Sequence, residues 1–406
     1  MNSLIQFACT VSISSSALAT TWVGGEEHSI PISGGGADLS GATWNPSSQS
    51  LWVVRQNRQI WEFAYETDNF QLQQTLVLPS AIGSDIEACA QVNQWDTEEL
   101  YTLAENEGRL ARIADISGTP TVLCSWNLQE TNNGNTMPPE TNGLGAEGLE
   151  FVPDANLLSA GFRFPDGTPF NGSAKGMGGL IFVGHQLGGR LHVFDINPDV
   201  PQDFINHGSF TTSETEIAGL HFDRTNGLMH VWHNTSGGNV MSISSLSSDD
   251  SIGTIDTIER YDSDMPSGNL EGITIVNLES CGEFGSEESE RVIFFTRDTE
   301  SPSLIYFNAF PCTQPGACCD VGACEIVTEA VCMNLGGQWL GGGSTCESCA
   351  SSCSGDTNVD YAVDILDLLY ILEVWGTSNP AGDINEDGIV DVGDLPEVIA
   401  NWGPCP

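Results

Sequence analysis

The sequence predicts a mainly β fold, a five-bladed β-propeller, followed by a small disulfide-rich segment and a C-terminal pair of loop-helix units. Three observations predict this arrangement. A pattern of short strands recurs five times before residue 311, nine cysteines lie after that residue, and a 27-residue repeat rich in Asp closes the chain. At 406 residues the chain is also too long for one ordinary hydrophobic core.

The five strand repeats share one order of segments. Their first strands start at Leu39, Ile86, Ala146, Ile217 and Leu270. The second strands read LWVVRQ, LYTLAE, LIFVGH, LMHVWH and VIFFTR, and a third strand follows soon after each. The starts are 47, 60, 71 and 53 residues apart, which is the size of a four-stranded blade with loops of uneven length. Six blades remain an alternative if one blade has a degenerate first strand.

The fifth repeat lacks a fourth strand of its own. The segment of residues 21–32, TWVGGEEHSIPI, belongs to none of the five repeats. We expect it to supply the missing strand, because closure of the ring in this way removes an unpaired strand edge. The predicted propeller domain therefore covers residues 20–311.

The motifs of the first strands resemble those of a known family. DLSGATWNP, DIEA, AEGLEFVPD, EIAGLHFD and NLEGITIV resemble segments of the SdiA-regulated family of secreted or periplasmic propellers, and more distantly of the phytase-like esterase propellers. The resemblance covers roughly residues 38–310. It implies a propeller fold and a calcium-associated central channel, and it implies no particular reaction.

Three carboxylates share one position of the repeat. The innermost strand of each blade lines the central channel, so side chains at this position converge on the axis. Like charges held so close either raise one another's pKa or bind a cation, and oxygen donors favour calcium over zinc. The alternative is that they bind neighbouring amides or line a wet channel. The aligned residues are Ser40, Glu87, Glu147, Ala218 and Glu271, of which Glu87, Glu147 and Glu271 are the predicted channel ligands.

A second column lies where the second strands end, on the same face of the propeller. A carboxylate, two imidazoles and a guanidinium beside a metal are able to hydrolyse an ester, with the metal polarising the oxyanion and a His as general base. The same rim is able to bind a sugar or a peptide, and we favour binding because no nucleophile motif such as G-x-S-x-G is present. The alternative function is a calcium-dependent phosphoesterase or lactonase-like hydrolase. The aligned residues are Gln56, Glu105, His185, His233 and Arg297, and the candidate catalytic residues are His185, His233, Glu105 and Arg297.

Residues 312–353 form the predicted second domain. The stretch GACCDVGACEIVTEAVCMNLGGQWLGGGSTCESCASSC resembles a small cysteine-rich repeat of multidomain secreted bacterial proteins. Disulfides stabilise a segment that has almost no apolar core. A zinc site is the alternative, and it is disfavoured because no His lies in this stretch. Cys353 and Cys405 flank the tail, and we expect them to join its two ends.

The final repeat places oxygen donors at the spacing of a calcium loop. GDTNVDYAVDILDLLYILEVWG begins at Gly355 and GDINEDGIVDVGDLPEVIANWG begins at Gly382. Donors stand at loop positions 1, 3, 5, 9 and 12, and a backbone carbonyl serves at position 7. Gly388 suits the sharp turn at position 6, where the first loop has Tyr361. The predicted calcium ligands are Asp356, Asn358, Asp360, Ala362, Asp364 and Asp367 in one loop, and Asp383, Asn385, Asp387, Ile389, Asp391 and Asp394 in the other.

Behind each loop, apolar residues recur at positions i, i+3, i+4 and i+7, which predicts two helices that pack face to face. The repeat resembles a type I dockerin, the duplicated calcium-binding module that docks onto cohesin domains. The resemblance implies that residues 354–406 form an all-α module with two calcium ions and a cohesin-like partner. Eleven acidic residues and no Lys or Arg lie in this module, so we expect it to unfold without a cation. The two apolar stripes are Leu368, Ile371, Leu372 and Trp375, and Leu395, Val398, Ile399 and Trp402.

Charge and cysteine content indicate where the chain works. A net charge of −44 argues against nucleic acid and anionic membranes as partners. The sequence contains no run of 18 apolar residues, so it predicts no membrane span. Residues 1–19 contain a weak apolar segment that ends in Ala17-Leu18-Ala19, which predicts a secretory signal. Its removal takes Cys9 and leaves twelve cysteines, an even number that fits an oxidising setting. We therefore expect a secreted or cell-surface bacterial protein.

Overall fold

The computed structural model describes most of the chain. The described residues are 19–32, 38–236, 238–247, 252–298, 301–312, 316–320, 323–327, 332, 337–342, 344, 346, 355–358, 362–379, 381–385 and 387–404. The chain divides between Cys312 and Thr313 into two compact units, one residue beyond the predicted end of the propeller. Residues 1–18 of the expected signal, Asp360, Tyr361, Cys353 and Cys405 lie outside the described residues.

The first unit is a five-bladed propeller, as the sequence predicts, and two short strands precede its blades. These are β1 (Ala19–Thr21) and β2 (His28–Ser29). Blade 1 contains β3 (Leu39–Asn45), β4 (Ser50–Arg55), β5 (Gln59–Glu66) and β6 (Asn69–Val77). Blade 2 contains β7 (Ile86–Ala90), β8 (Glu99–Ala104), β9 (Arg109–Ala114) and β10 (Thr121–Asn127).

The remaining blades follow the same antiparallel order. Blade 3 contains β11 (Ala146–Pro153), β12 (Gly179–His185), β13 (Arg190–Ile196) and β14 (Phe204–Thr211), with helix α1 (Asp154–Ala160) after its first strand. Blade 4 contains β15 (Gly219–Asp223), β16 (Leu228–Thr235), β17 (Gly238–Ser244) and β18 (Glu259–Ser263). Blade 5 contains β19 (Leu270–Ile275), β20 (Glu290–Arg297) and β21 (Leu304–Pro311). Single 3-10 turns lie at Ser80–Ile82 and Leu278–Ser280.

The N-terminal segment closes the ring. Strand β2 pairs antiparallel with β21 and becomes the fourth strand of blade 5, which confirms the prediction. Strand β1 also pairs parallel with β18 and adds a fifth strand to blade 4. Between these strands, the Trp22 ring lies 5.2 Å from the Phe307 ring and contacts residues of both blades. The segment therefore fastens two neighbouring blades together.

Five hydrophobic clusters lie between consecutive blades, one at each interface of the ring. The first strands of neighbouring blades contact one another around the axis, from β3 to β19 and back to β3. Glycine permits this close approach: a Cβ at Gly41 would lie 2.5 Å from the Ala88 Cα, and one at Gly219 would lie 2.5 Å from the Glu271 carbonyl oxygen. Residues next to these glycines are therefore held close to the axis.

Disulfides occur in both units. Cys281 is bonded to Cys312 within the propeller. In the second unit, β22 (Gly316–Asp320), β23 (Ala323–Val327) and β24 (Gln338–Trp339) form a small sheet. The bonds Cys318–Cys332 and Cys324–Cys346 tie this segment together, as predicted for a region with little core. Among the described residues, Cys89 and Cys124 are buried free thiols, so an even count did not mean that every cysteine is paired.

The C-terminal segment contains α2 (Ile365–Glu373) and α3 (Leu395–Ala400). It is not all-α, because β25 (Ala362–Val363) pairs with β26 (Gly403–Pro404). Of the two predicted stripes, Ile371 and Val398 are buried and Leu368 and Leu395 are half-buried. The other four stripe residues are exposed, which corrects the prediction that the full stripes face each other; they are Leu372, Trp375, Ile399 and Trp402. Val363 and Val390, which lie in the loops, complete the small core.

Among the helices of the described residues, none has the length and hydrophobicity that spanning a membrane requires.

Candidate metal centre

One end of the propeller axis opens into a cavity of about 550 Å³. Seven of its fourteen lining residues are Asp or Glu, and none of the fourteen is Lys, Arg or His. Eleven of the fourteen come from three repeated positions of the sequence: the residue before each first-strand motif, the channel position within that motif, and the position at the end of each second strand. The cavity is therefore a strongly acidic mouth that all five blades build.

The channel position brings together the three predicted ligands. Glu87 on β7, Glu147 on β11 and Glu271 on β19 each offer one carboxylate oxygen, and these oxygens lie within 4.8 Å of one another. The three side chains are buried, with 3%, 7% and 9% exposure. Residues separated by 60 and 124 positions in the sequence thus meet at the axis.

Two of these buried carboxylates have oxygens without a partner. Glu147 Oε2 and Glu271 Oε2 accept no hydrogen bond from any described residue. Glu271 Oε1 accepts one from Asn269 Nδ2 at 3.0 Å. A buried polar atom that lacks a partner costs free energy, and a bound cation removes that cost by coordination. The geometry therefore fits a cation site.

Burial and mutual repulsion raise the pKa of the three carboxyl groups at the channel position. Burial raises the pKa of Glu87 to about 8, and the charges of Asp85 and Glu105 add to the effect. Burial, followed by the charges of Glu87 and Asp298, raises the pKa of Glu271 to about 9. Burial and the charge of Glu87 also raise the pKa of Glu147 well above its usual value. Without a cation, Glu87 and Glu271 therefore hold protons near neutral pH.

The residues that the sequence aligns at the ends of the second strands do not all occupy equivalent positions in the blades. Strand pairing matches Leu39 with Arg55, Ile86 with Ala104, Ala146 with His185 and Leu270 with Arg297. The cavity is lined by the residues one position later, because successive side chains of a strand point to opposite faces. The lining residues of this column are Gln56, Glu105, Gln186, Asn234 and Asp298. Of the candidate catalytic residues, only Glu105 therefore lines the cavity.

His185 and His233 are internal hydrogen-bonding residues. His185 Nε2 donates to the Pro138 carbonyl oxygen at 3.1 Å, and its Nδ1 accepts from the Leu187 N–H at 3.1 Å. His233 Nδ1 donates to the Glu216 carbonyl oxygen at 2.8 Å, and its Nε2 accepts from the Ser242 hydroxyl at 2.9 Å. Both side chains are fully buried. Burial lowers the pKa of His185 and lowers that of His233 to about 4.

Arg297 is also occupied away from the cavity. Its Nη2 lies 2.8 Å from Glu27 Oε2 on the N-terminal segment, and it also donates to the Ser267 carbonyl oxygen at 3.2 Å. His185, His233 and Arg297 therefore do not line the cavity, contrary to the expected rim. Arg297 instead helps to hold the segment that closes the ring.

Sequence reasoning missed one column of the mouth. The position before each first-strand motif of the sequence carries Asp38, Asp85, Gly145, Glu216 and Asn269. Asp85, Glu216 and Asn269 line the cavity. The signal was present in the motifs DLSG, DIEA, GAEG, EIAG and NLEG, whose first letters are polar in four of five blades.

The two C-terminal loops are built alike. Asp367 accepts hydrogen bonds from the N–H groups of Thr357 at 2.7 Å, Asn358 at 3.2 Å and Asp364 at 2.8 Å. Asp394 accepts them from the equivalent residues Ile384, Asn385 and Asp391 at 2.8, 3.2 and 2.8 Å. Both position-12 carboxylates are fully buried. The carboxylate at position 12 therefore holds the backbone of each loop through three hydrogen bonds.

The second loop also shows the turn that the sequence predicts. Gly388 has a φ of +94°, a conformation that favours glycine. Asp383 accepts from the N–H groups of Asp387 at 3.0 Å and Gly388 at 2.8 Å. Asn385 Oδ1 accepts from the Asp387 N–H at 3.0 Å. In the first loop, Asp356 and Asn358 are described, whereas Ala362 is described only by its backbone.

Comparisons with known proteins give no family. No family model matches the chain, and no curated protein matches it. Similar solved structures include a Myxococcus xanthus glutaminyl cyclase, at 14% identity and a TM-score of 0.37, covering 70% of this chain and 94% of that chain. A Kuenenia stuttgartiensis hydrazine synthase is similar at 10% identity and a TM-score of 0.35, covering 66% of this chain and 58% of that chain. A nidogen/laminin complex is similar at 8% identity and a TM-score of 0.37, covering 68% of this chain and 77% of that chain. The propeller assignment depends on the strand pairing itself.

Proposed function

We propose that this chain is a secreted, modular calcium-binding protein. Its propeller binds a calcium ion on the axis and, through that ion and the acidic mouth, an extracellular ligand. Its C-terminal loop pair binds two further calcium ions and attaches the chain to a cohesin-like partner. The observation that carries the proposal is the convergence of three buried carboxylates from three blades, two of which have an oxygen that no described residue hydrogen-bonds.

Calcium is the cation that the donor set favours. The lining of the mouth offers carboxylate, amide and hydroxyl oxygens and no sulfur or imidazole ligand. Hard oxygen donors of this kind suit calcium or magnesium better than zinc or copper. Calcium also tolerates irregular coordination by several carboxylates, whereas magnesium demands near-octahedral geometry.

The cavity above the channel position leaves room for a ligand. Its volume of about 550 Å³ lies within the range of small-molecule sites. Amide side chains of Gln186, Asn234 and Asn269 stand beside the carboxylates. A ligand that presents oxygen atoms to the ion is therefore able to hydrogen-bond with these amides at the same time.

The tail supports a docking role through its exposed apolar residues. Leu372 and Trp375 occupy the same repeat positions as Ile399 and Trp402, and all four are between 43% and 63% exposed. Exposed apolar side chains in equivalent positions of a duplicated unit are typical of an interaction surface. A cohesin-like domain is the partner that the sequence resemblance favours.

The test uses the full chain in calcium-free buffer and in calcium. We expect Glu147→Gln to bind one calcium ion fewer than the unmodified chain, because it neutralises a ligand without changing its shape. The control is Glu130→Gln, an exposed residue of a loop that changes net charge equally. Equal calcium stoichiometry in Glu147→Gln and in the unmodified chain would remove the axial site from the proposal.

A second candidate function is calcium-dependent ester hydrolysis. It is favoured by Glu105, whose pKa burial raises to about 7, which suits a general base at neutral pH. Glu105 would then replace the histidines as the proton acceptor beside the cation. Panels of phosphoesters and lactones, assayed with and without calcium, test this function. Turnover that Glu105→Gln does not reduce would exclude it.

A further inference from the structure

Glu87 belongs to two groups of carboxylates, and the proposed function uses only one of them. One oxygen each from Glu87, Glu147 and Glu271 form the first group, and one oxygen each from Asp85, Glu87 and Glu105 form the second. In both groups the oxygens lie within 4.8 Å of one another. The two groups therefore share Glu87.

The second group is fixed by the backbone of blade 2. Asp85 immediately precedes β7 and Glu105 immediately follows β8, and the pairing of Ile86 with Ala104 places them side by side. The Glu105 N–H donates to the Asp85 carbonyl oxygen at 2.9 Å. Asn106 Nδ2 also donates to Asp85 Oδ2 at 2.8 Å and orients that carboxylate. The group is thus positioned by pairing within one blade.

Glu105 has a buried oxygen that lacks a partner. The residue is 6% exposed, and its Oε1 accepts no hydrogen bond from any described residue. Its carboxylate occupies space that glycine leaves open in blade 3, since a Cβ at Gly145 would lie 2.6 Å from Glu105 Cδ. Three of the other four blades carry an acidic residue at the position of Gly145, and the fourth carries Asn269. The glycine therefore admits the Glu105 carboxylate into the mouth.

We infer that the mouth binds a second divalent cation, held by Asp85, Glu87 and Glu105, with Glu87 bridging the two ions. This inference rests on the proposed function, because the first ion and the second share Glu87. Five carboxylates meet in the two groups. When all are ionised, one divalent ion leaves three negative charges uncompensated, whereas two ions leave one. The arrangement is therefore a two-cation centre open to the cavity.

The experiment counts calcium ions bound to the full chain by equilibrium dialysis, at a pH above the raised pKa values of Glu105, Glu87 and Glu271, which are about 7, 8 and 9. We expect Glu105→Gln to bind one ion fewer than the unmodified chain, Glu147→Gln also one fewer, and Glu87→Gln two fewer. Gly145→Ala should likewise lose one ion, because the added methyl group displaces the Glu105 carboxylate. Glu130→Gln serves again as the control and should bind the full number.

The outcomes separate this inference from the proposed function. If Glu147→Gln loses an ion and both Glu105→Gln and Gly145→Ala retain the full number, the second site is refuted and the first stands. If neither Glu147→Gln nor Glu105→Gln loses an ion, both sites fail. Melting temperatures in calcium-free buffer check folding, and there Glu105→Gln should be at least as stable as the unmodified chain, since it removes a repelling charge.

Discussion

The propeller axis and the C-terminal loops both gather carboxylates, but they do so by different routes. Each C-terminal loop takes its acidic residues from one short stretch of chain, such as Asp383 to Asp394. The axis takes Glu87, Glu147 and Glu271 from three blades. The acidic loops are therefore recognisable from the spacing of residues within one short segment. The axial group forms only because the five blades close into a ring.

The two regions also differ in how their carboxylates are stabilised. In the loops, Asp367 and Asp394 accept backbone N–H groups of their own loop. On the axis, Glu147 and Glu271 each have a buried oxygen that has no partner within the described part of the chain, and burial raises the pKa of both groups. Without a cation, the axis is able to relieve its charge by protonation within a large, well-packed propeller. The tail has only a small core, so we expect its packing to be too weak to keep it folded without a cation.

Chelation should therefore separate the two regions most strongly. With EGTA at neutral pH, we expect the tail to lose its folded structure and the propeller to remain folded, because a small metal site couples binding directly to folding. Hydrogen exchange of the full chain is the measurement. Amides of residues 362–404 should lose protection while those of the five blades keep it. Equal protection of the tail with and without calcium would contradict the prediction that only the tail needs calcium to fold.

The second prediction concerns neighbouring residues of α2. Ile371 is buried and Leu372 is 58% exposed. In calcium, Ile371→Ala should destabilise the tail by about 2–5 kcal/mol through loss of buried apolar contacts. Leu372→Ala should change its stability by no more than about 0.5 kcal/mol, which makes it the matched control. Thermal unfolding of the tail transition measures both. Similar losses in the two variants would mean that the full apolar stripe is buried after all.

The third prediction concerns docking. Because Trp375 and Trp402 are exposed, replacing both by Ala should weaken binding to a cohesin-like domain by about 10-fold or more, equivalent to about 1.4 kcal/mol. The unfolding temperature should change little. Binding is measured by titration calorimetry in calcium, with each of a panel of soluble cohesin-like domains in turn. Full affinity of the double variant for a domain that binds the unmodified chain would place the contact elsewhere.

The fourth prediction concerns the dependence of stability on pH. The folded, cation-free propeller has carboxyl pKa values raised to about 7 for Glu105, 8 for Glu87 and 9 for Glu271, mainly by burial. Such groups bind more protons folded than unfolded, so their contribution to stability is complete below the unfolded pKa of about 4.5 and is lost as pH rises through about 7 to 9. Calcium should reverse this trend. Unfolding temperatures across this pH range, with and without calcium, are the measurement.

The same linkage predicts that calcium displaces protons from the axis. Titration calorimetry near pH 7 in two buffers of different ionisation enthalpy should give different apparent enthalpies, because released protons are taken up by the buffer. The difference should shrink as the pH rises past about 9, because Glu105, Glu87 and Glu271 ionise through about pH 7 to 9. Identical enthalpies in both buffers near pH 7 would contradict the raised pKa values.

The sequence predicted the number of blades and the axial Glu residues because the repeat period and the position of each Glu are local features. It misplaced His185 and His233 because a one-residue slip moves a side chain to the opposite face of a strand. The first strands contain irregular pairing, for example between Ala146 and Gly148, and no residue type announces such a shift. The slip is therefore visible only once the strands are paired.

A similar limit applied to the tail. The periodic stripe correctly placed Ile371 and Val398 in the core. It did not show that Val363 and Val390 of the loops would fill the space beside them. With that space filled, the two short helices meet along a narrow face, and Leu372, Trp375, Ile399 and Trp402 remain exposed.

The most direct test of the account is a crystal structure of the full chain grown with calcium and, in parallel, with manganese, whose anomalous scattering marks each ion. We expect a peak on the propeller axis within coordination distance of Glu87, Glu147 and Glu271, in addition to peaks in the tail loops. Peaks in the tail together with a bare axis, whose carboxylates instead hydrogen-bond to neighbouring amides, would contradict it.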